Sequence, residues 1–459
     1  MNNKILLSLL MCCSLSAQAQ EILSIEQCRQ MAVDHNKEMA IAALQTKSAH
    51  YTMKSYWGNF FPDFQAAGMG TYSNIDGSLG IPVPEIGLPD LSKLPLPPQL
   101  KPLVPLIPSS VKLPPVNMDY KIDFFYMAGI SFTQPIYMGG KIMSAYRMSQ
   151  AGKEIAKLNE KKTASEVIQA TDNAYVLLVR AQEMKKVAAT YHDVLVELMK
   201  NVNDAYKIGL KTQNDVLKVQ VKLNESELGI RKADNAIRLA SMNLCHHIGM
   251  PLISDIRVSD DFPHISDRME DEVNDITSRP EYAMLEQKVE VARQQVKLTR
   301  SSMLPNIGVK GAYNYAHGFQ ICDQNLFNEG GFSFMVKVGI PIYHFGERRN
   351  KVKAAKISLE QARLEQENLN EKMYLELTQA SNNMEEAQLE VEIAERSFLQ
   401  AEENMKVCKN QYDSGLESLS DYLEAQAMWQ KAYATQVESN FQLYLSYVNY
   451  LKAIGALRL

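Results

Sequence analysis

The stretch YDSGLESLSDYL, residues 412–423, sets Tyr412, Gly415 and Asp421 between two long apolar-patterned segments. Upstream, YKIGLKTQNDVL, residues 206–217, repeats that skeleton with Tyr206, Gly209 and Asp215. The two tyrosines lie 206 positions apart. Pro135-Ile136-Tyr137 and Pro341-Ile342-Tyr343 share that offset, as do Ile248-Gly249 and Ile454-Gly455. Three separated landmarks with one offset mark an internal duplication. Nearer the start the offset is 243, since Phe61-Pro62 answers to Leu304-Pro305; the first half therefore carries 37 extra residues. They are visible as residues 81–115, which hold eleven of the eighteen prolines. Proline fixes φ and removes a donor, so this insertion reads as a polyproline-like or irregular loop. Its aliphatic content suits a segment lying on another surface as well as it suits an external loop.

Each copy follows one plan. Ser24-Ile25-Glu26-Gln27 is a capping box and opens a helix expected over 25–57. Its counterpart is expected over 280–303, with Pro280 in the first turn. Strands follow. Phe332, Phe334, Val336, Val338 and Ile340 alternate with smaller or polar residues, as do Phe124 to Phe132 and Ile307 to Tyr315; 64–73 is a weaker fourth. Strands of ~9–11 residues suit a membrane barrel, although a soluble two-sided sheet shows the same alternation. Then come helices over 141–205 and 347–411, the second without proline or glycine. About 65 residues at ~1.5 Å each give roughly 100 Å. Ala380, Met384, Ala387, Val391, Ala394, Phe398, Ala401, Met405, Cys408 and Tyr412 are spaced alternately four and three. That 3.5-residue period calls for a partner helix and a left-handed supercoil. The chain breaks at Gly209 or Gly415 and returns as a helix to Gly249 or Gly455. Four strands cannot close a barrel, and open edges are costly in lipid. Two copies supply eight strands and three supply twelve.

Composition narrows the class. In a chain of 459 residues, a net charge of -5 argues against a nucleic-acid partner. Lys4, the apolar run 5–11 and Ala17-Gln18-Ala19 read as a signal peptide over 1–19, so the protein is expected to be exported. No later run has the ~20 apolar residues of a membrane helix. Cys28, Cys245, Cys322 and Cys408 remain, far apart and without a CxxC pair; they permit disulfides but do not form a scaffold. No phosphate loop, HExxH or GxSxG is present, and Gly68-Met69-Gly70 lacks a third glycine. The protein is not expected to be an enzyme, and no cofactor is expected.

The order of these features resembles the TolC-like outer membrane efflux proteins of Gram-negative bacteria. The residues that carry the resemblance are Leu23-Ser24-Ile25-Glu26-Gln27 with Ala32 and Asn36, Arg279-Pro280-Glu281, Leu304-Pro305-Asn306, both Tyr-x-x-Gly-Leu breaks, and Ile248-Gly249-Met250-Pro251. The resemblance implies a mainly α fold with β. Duplicated coiled-coil hairpins form an α-barrel, and four strands per chain contribute to a trimeric twelve-stranded barrel. It implies a first repeat over 20–269 (hairpin 63–135, insertion 81–115, coiled coil 141–249). The second runs over 270–459 (hairpin 306–343, coiled coil 347–455). The expected function is an outer membrane exit duct for a tripartite efflux pump or type I secretion. The partners would be a periplasmic adaptor, an inner membrane transporter of RND, ABC or MFS type, and outer membrane lipid. A soluble periplasmic coiled-coil adaptor is the alternative, although it has no need of period-two strands in both halves.

Within that resemblance the Tyr-x-x-Gly breaks are the periplasmic tips. The family's gate acids fall on Asp421 and Glu424, where three chains would bring six carboxylates to a ring able to hold a divalent ion. Asp421 and Asp215 are also the third residues of capping boxes begun by Ser418 and Thr212, so capping alone accounts for them. Glu424 lies outside the box, and its counterpart is Lys218. Tip closure is expected from Tyr206, Lys211, Asp215, Tyr412 and Glu417; Glu417 stands where the family often has a basic residue, which raises a Lys211–Glu417 pair. Tyr206 and Tyr412 also end the apolar seam and suit core packing. Gly209, Leu210, Gly415 and Leu416 are the expected adaptor-docking residues.

Overall fold

A computed structural model describes residues 22–90, 105, 107–259, 262, 275–322, 324–325 and 329–457. The signal-peptide expectation and most of the proline-rich insertion fall outside them. The chain divides into two compact units. One holds 55–145 and 297–352; the other holds the chain before 55 together with 146–296 and 353–459.

The first unit is built on an antiparallel sheet. Its strands are β2 (Asp63–Ile81), β5 (Val116–Met138), β7 (Asn306–Ile321) and β9 (Gly330–Gly339), hydrogen-bonded in that order. The two-residue β1 (Ile22–Leu23) precedes them in the chain, β3 (Ile86–Gly87) pairs with β4 (Ser110–Val111), β6 (Arg257–Val258) pairs with β1, and β8 (Gln324–Asn325) folds back on β7. Phe64, Ala66, Gly68, Gly70 and Tyr72 lie opposite Phe132, Ile130, Ala128, Tyr126 and Phe124. Ile75, Gly77, Leu79 and Ile81 continue the same face, opposite Ile122, Tyr120, Met118 and Val116. Phe332, Phe334, Val336 and Val338 extend it onto β9, where they are exposed. A sheet with one continuous apolar face and no cover over it has lipid as its natural neighbour.

The first hairpin is longer than the alternation promised. A register shift between Tyr72 and Ile75 moves the apolar residues of β2 from even to odd positions. A bulge of this kind interrupts the period without changing the face, so a reading by parity stops near Ser73. Strands β2 and β9 each have a free edge among the described residues.

The second unit is helical and keeps the duplication closely. The long helices α3 (Lys141–Lys207) and α6 (Glu347–Asp413) have 67 residues each. The return helices α4 (Gln213–His247) and α7 (Leu419–Ala453) have 35 each. Both pairs start 206 positions apart. Helices α2 (Lys37–Gly58) and α5 (Pro280–Ser301) have 22 residues each and start 243 apart.

The opening helix is interrupted, contrary to the single span expected. Helix α1 (Ile25–His35) ends at Asn36, whose ψ of 136° is extended. Asn36 Oδ1 accepts the Glu38 N–H at 2.7 Å, and its Nδ2 donates to the His247 carbonyl at 2.9 Å. A buried asparagine that bonds its own backbone and a second helix competes with helix continuation.

Both return helices end in a left-handed glycine. Gly249 has φ +75°, and a Cβ there would lie 2.7 Å from the His35 carbonyl oxygen. Gly455 has φ +73°, and its Cβ would lie 2.9 Å from the Ser278 carbonyl carbon. These contacts map onto each other through the two sequence offsets, so the duplication holds in space as well as in sequence.

The core beside α1 holds a buried ion pair. Arg29 Nε and Nη2 donate to the two oxygens of Asp172, each at 2.7 Å, and Nη2 also reaches the Tyr444 hydroxyl at 3.3 Å. The Asp172 side chain has no exposed surface. Burial lifts its carboxyl above the usual range while the Arg29 bonds pull it back. The four described cysteines are free thiols; Cys28 is buried, and burial raises its thiol to about 12.

Candidate functional site

The two hairpin tips are the candidate site. Helix α3 ends in a Schellman turn, with Leu210 N–H donating to Ala205 O at 2.9 Å and Gly209 N–H to Tyr206 O at 3.0 Å. Helix α6 ends identically, with Leu416 N–H on Gln411 O at 2.8 Å and Gly415 N–H on Tyr412 O at 3.1 Å. Gly209 and Gly415 have φ of +80° and +75°, so glycine is what lets each helix stop and turn sharply.

Each return helix is then capped, though not identically. Thr212 Oγ1 accepts the Asp215 N–H at 3.2 Å, while Asp215 Oδ2 accepts the Thr212 N–H at 3.0 Å. These bonds hold the Asp215 carboxyl below its usual range. Ser418 Oγ accepts the Asp421 N–H at 3.3 Å and donates to Asp421 Oδ2 at 2.5 Å.

Below the tips lies an apolar cluster that includes Leu195, Val202, Val219, Leu419, Tyr422 and Trp429. Phe398, Met405, Cys408 and Tyr412 of the heptad seam pack against it, and Ala380, Met384, Ala387 and Ala394 are buried farther along. Tyr412 stacks on Tyr422, with ring centroids 5.3 Å apart and planes 17° from parallel. Lys211 Nζ stands 4.6 Å from the centroid of the Tyr412 ring. A contact from the first tip thus rests on an aromatic pair of the second. Burial, with Asp215 and Asp413 nearby, pushes the Tyr412 phenol up.

The other expected tip residues do not gather there. Tyr206 is 43% exposed and Glu417 is partly exposed. Leu210 and Leu416 stand out at the turns, 74% and 79% exposed. Asp421 and Glu424 share the exposed side of the first turns of α7, whereas Tyr422, Leu423, Ala425 and Gln426 are buried. Lys218, the counterpart of Glu424, donates to Ser420 Oγ at 3.0 Å.

Sequence reasoning missed two members of this site. Tyr422 supports Tyr412, and its signal was its place one turn past the cap on the buried stripe. Ile208 is exposed beside Gly209, and a β-branched residue entering a glycine turn could have marked it. Among the described residues no group of three or more His, Cys, Asp or Glu side chains could hold a metal ion in one chain. Among them, too, no helix is long and apolar enough to cross a membrane.

Residues 28–250 and 276–456 match the outer membrane efflux protein family. The chain is 20% identical over 339 residues to the outer membrane protein TolC of Vibrio cholerae, covering 72% of this chain and 76% of that one. The CmeC outer membrane channel of Campylobacter jejuni has a similar fold, with a TM-score of 0.75 at 17% identity over 96% of this chain and 90% of CmeC. The open state of the MtrE outer membrane channel of Neisseria gonorrhoeae is also similar, with a TM-score of 0.73 at 14% identity over 95% of this chain and 89% of MtrE.

Proposed function

Because this chain belongs to the outer membrane efflux protein family, we propose that it is the outer membrane exit duct of a tripartite efflux pump or type I secretion system. The observation that carries this reading is the open-edged sheet with one continuous apolar face, attached to two matched helical hairpins. An unpaired strand edge in hydrocarbon leaves backbone groups unsatisfied at several kcal/mol each. Three copies joined edge to edge give twelve strands and no edge, with twelve helical segments forming the periplasmic part. The duct is passive. A periplasmic adaptor docks on the exposed turns at Gly209, Leu210, Gly415 and Leu416, and an inner membrane transporter of RND, ABC or MFS type supplies energy and cargo choice.

Asp421 and Glu424 form the gate of this duct. Both are exposed in the single chain, and only Asp421 also serves a cap. Six carboxylates around a narrow opening favour cations and bind a divalent ion that blocks the pore. The test is conductance in a planar bilayer. The protein conducts weakly, divalent cations block it further, and Asp421→Asn/Glu424→Gln relieves the block. Block of the double variant at an unchanged ion concentration refutes the gate. A protein that stays monomeric and soluble without detergent refutes the duct.

A further inference from the structure

Position 345 breaks the duplication. The turn from strand to long helix is Gly139-Gly140 in the first half and Phe345-Gly346 in the second. All four have positive φ, 62°, 83°, 37° and 82° in that order. For phenylalanine this backbone is strained. Its ring lies T-shaped to Tyr343 and is otherwise in the open, 92% exposed.

The first half shows what the position touches. A Cβ on Gly139 would lie 2.7 Å from both Ser301 O and Leu304 Cβ. Gly139 therefore sits on the turn from α5 into β7, which belongs to the next repeat along the sheet. By the 243 offset that turn corresponds to Gly58 through Phe61. The backbone bonds agree: Leu304 N–H donates to Ser301 O and Phe61 N–H to Gly58 O, both at 3.0 Å. Within one chain no repeat follows the second, so Phe345 has no such turn to meet. Gly58 is the complementary vacancy, with no atom within 4 Å of where its Cβ would be.

The strand bases tell the same story. Pro135, Tyr137 and Met138 belong to β5 and oppose Gly308, Ile307 and Asn306 of β7. Their counterparts at 341, 343 and 344 lie outside β9 and have no strand partner among the described residues. Ile342 among them is 93% exposed.

We infer that Phe345 and segment 340–344 are a copy-to-copy contact, seated on Gly58, Phe61 and the base of β2 in a second copy of this chain. Carrying the β5–β7 register through the two offsets sets Val338 opposite Gly68, Val336 opposite Gly70 and Tyr343 opposite Phe64 of the neighbour. Bulky residues of β9 then face glycines of β2. A strict copy of the Gly139 contact would drive the Phe345 Cβ onto the Gly58 carbonyl. The second contact therefore stands several tenths of an ångström wider than the first, and the ring occupies the space that Gly58 leaves empty.

This inference rests on the trimer reading above, and its test separates the two. In Phe61→Cys/Phe345→Cys, heated non-reducing gels show covalent dimers and trimers that reductant removes and that neither single variant forms. If unheated gels show trimer but no covalent species forms, this contact is refuted and the trimer stands. If unheated gels show only monomer, both readings fall. A second variant, Phe345→Gly, relieves the backbone strain and so favours the isolated chain. It nevertheless lowers the temperature at which trimer gives way to monomer. An unchanged or higher temperature overturns the inference.

Discussion

Replacing Tyr412 by leucine isolates the contact that joins the two tips. Leucine keeps an apolar side chain against the cluster below. It removes the stacking on Tyr422, 5.3 Å away and 17° from parallel, and the cation–π contact with Lys211 at 4.6 Å. An aromatic pair contributes about 0.5–1.5 kcal/mol beyond its buried area. A partly exposed cation–π contact contributes about 0.5–1 kcal/mol. If the closed tip depends on both, the variant loses about 1–2.5 kcal/mol of closure. At 1.4 kcal/mol per tenfold, that is roughly a 5- to 60-fold rise in the ratio of open to closed channels. Single-channel recording in a planar bilayer measures that ratio as dwell times. Lys211→Met alone gives the smaller part of the rise. The two changes together give less than their sum, because both remove the same cation–π contact. Wild-type dwell times in Tyr412→Leu, with the fold intact by circular dichroism, refute the idea that this contact holds the tip shut.

Three further changes test other parts of the structure. Arg29→Met leaves the fully buried Asp172 carboxylate without its bidentate partner, at a cost of about 3–5 kcal/mol, whereas Arg29→Met/Asp172→Leu is close to neutral; hydrogen exchange over α1 reads both, and a double variant as damaged as the single one defeats the argument. Gly455→Ala puts a Cβ 2.9 Å from the Ser278 carbonyl carbon at φ +73°; thermal melts show a loss larger than that of Gly152→Ala, a helical position with open space around it. Glu417→Lys places a cation at the position equivalent to Lys211 and lowers the open-channel fraction, opposite in sign to Tyr412→Leu; an increase shows that position 417 does not face a tyrosine ring.

Features that depend on periodicity and local chemistry were legible in the sequence. The long helices end within two residues of the expected 205 and 411, because glycine at the left-handed position leaves little choice about where a helix stops. The seam from Ala380 to Tyr412 packs as a 3.5-residue repeat requires. The unread features are those where one residue overrides a period. The bulge after Tyr72 shifts parity and conceals the upper half of the first hairpin. Asn36 ends a helix inside an otherwise helical run through a bond to His247. The Arg29–Asp172 pair joins residues 143 positions apart, and no local pattern announces a partner at that distance. Lys211 over Tyr412 is of the same kind: the offset identified both as tip residues, but only packing decides that a lysine meets a ring and not Glu417.

The duplication also indicates where function departs from architecture. Most paired positions match in backbone and role, as Gly209 with Gly415 and Gly249 with Gly455 do. Four differences stand against that background: Phe345 for Gly139, Glu417 for Lys211, Glu424 for Lys218, and the insertion at 81–115. In the proposed trimer the helices approximate sixfold symmetry, while these residues are repeated only three times. The in-chain tip contact has a lysine over a tyrosine that stacks on another tyrosine. Carried to the junction between copies, the same positions are Glu417, Tyr206 and Val216. A carboxylate is repelled by the face of a ring, and valine cannot stack on one. The junction between copies is then the weaker of the two alternating tip contacts, and the exposure of Tyr206 in the single chain accords with that. A ring closed by three strong and three weak contacts parts first at the weak ones, so opening moves whole chains apart while the two tips of each chain stay joined by Lys211.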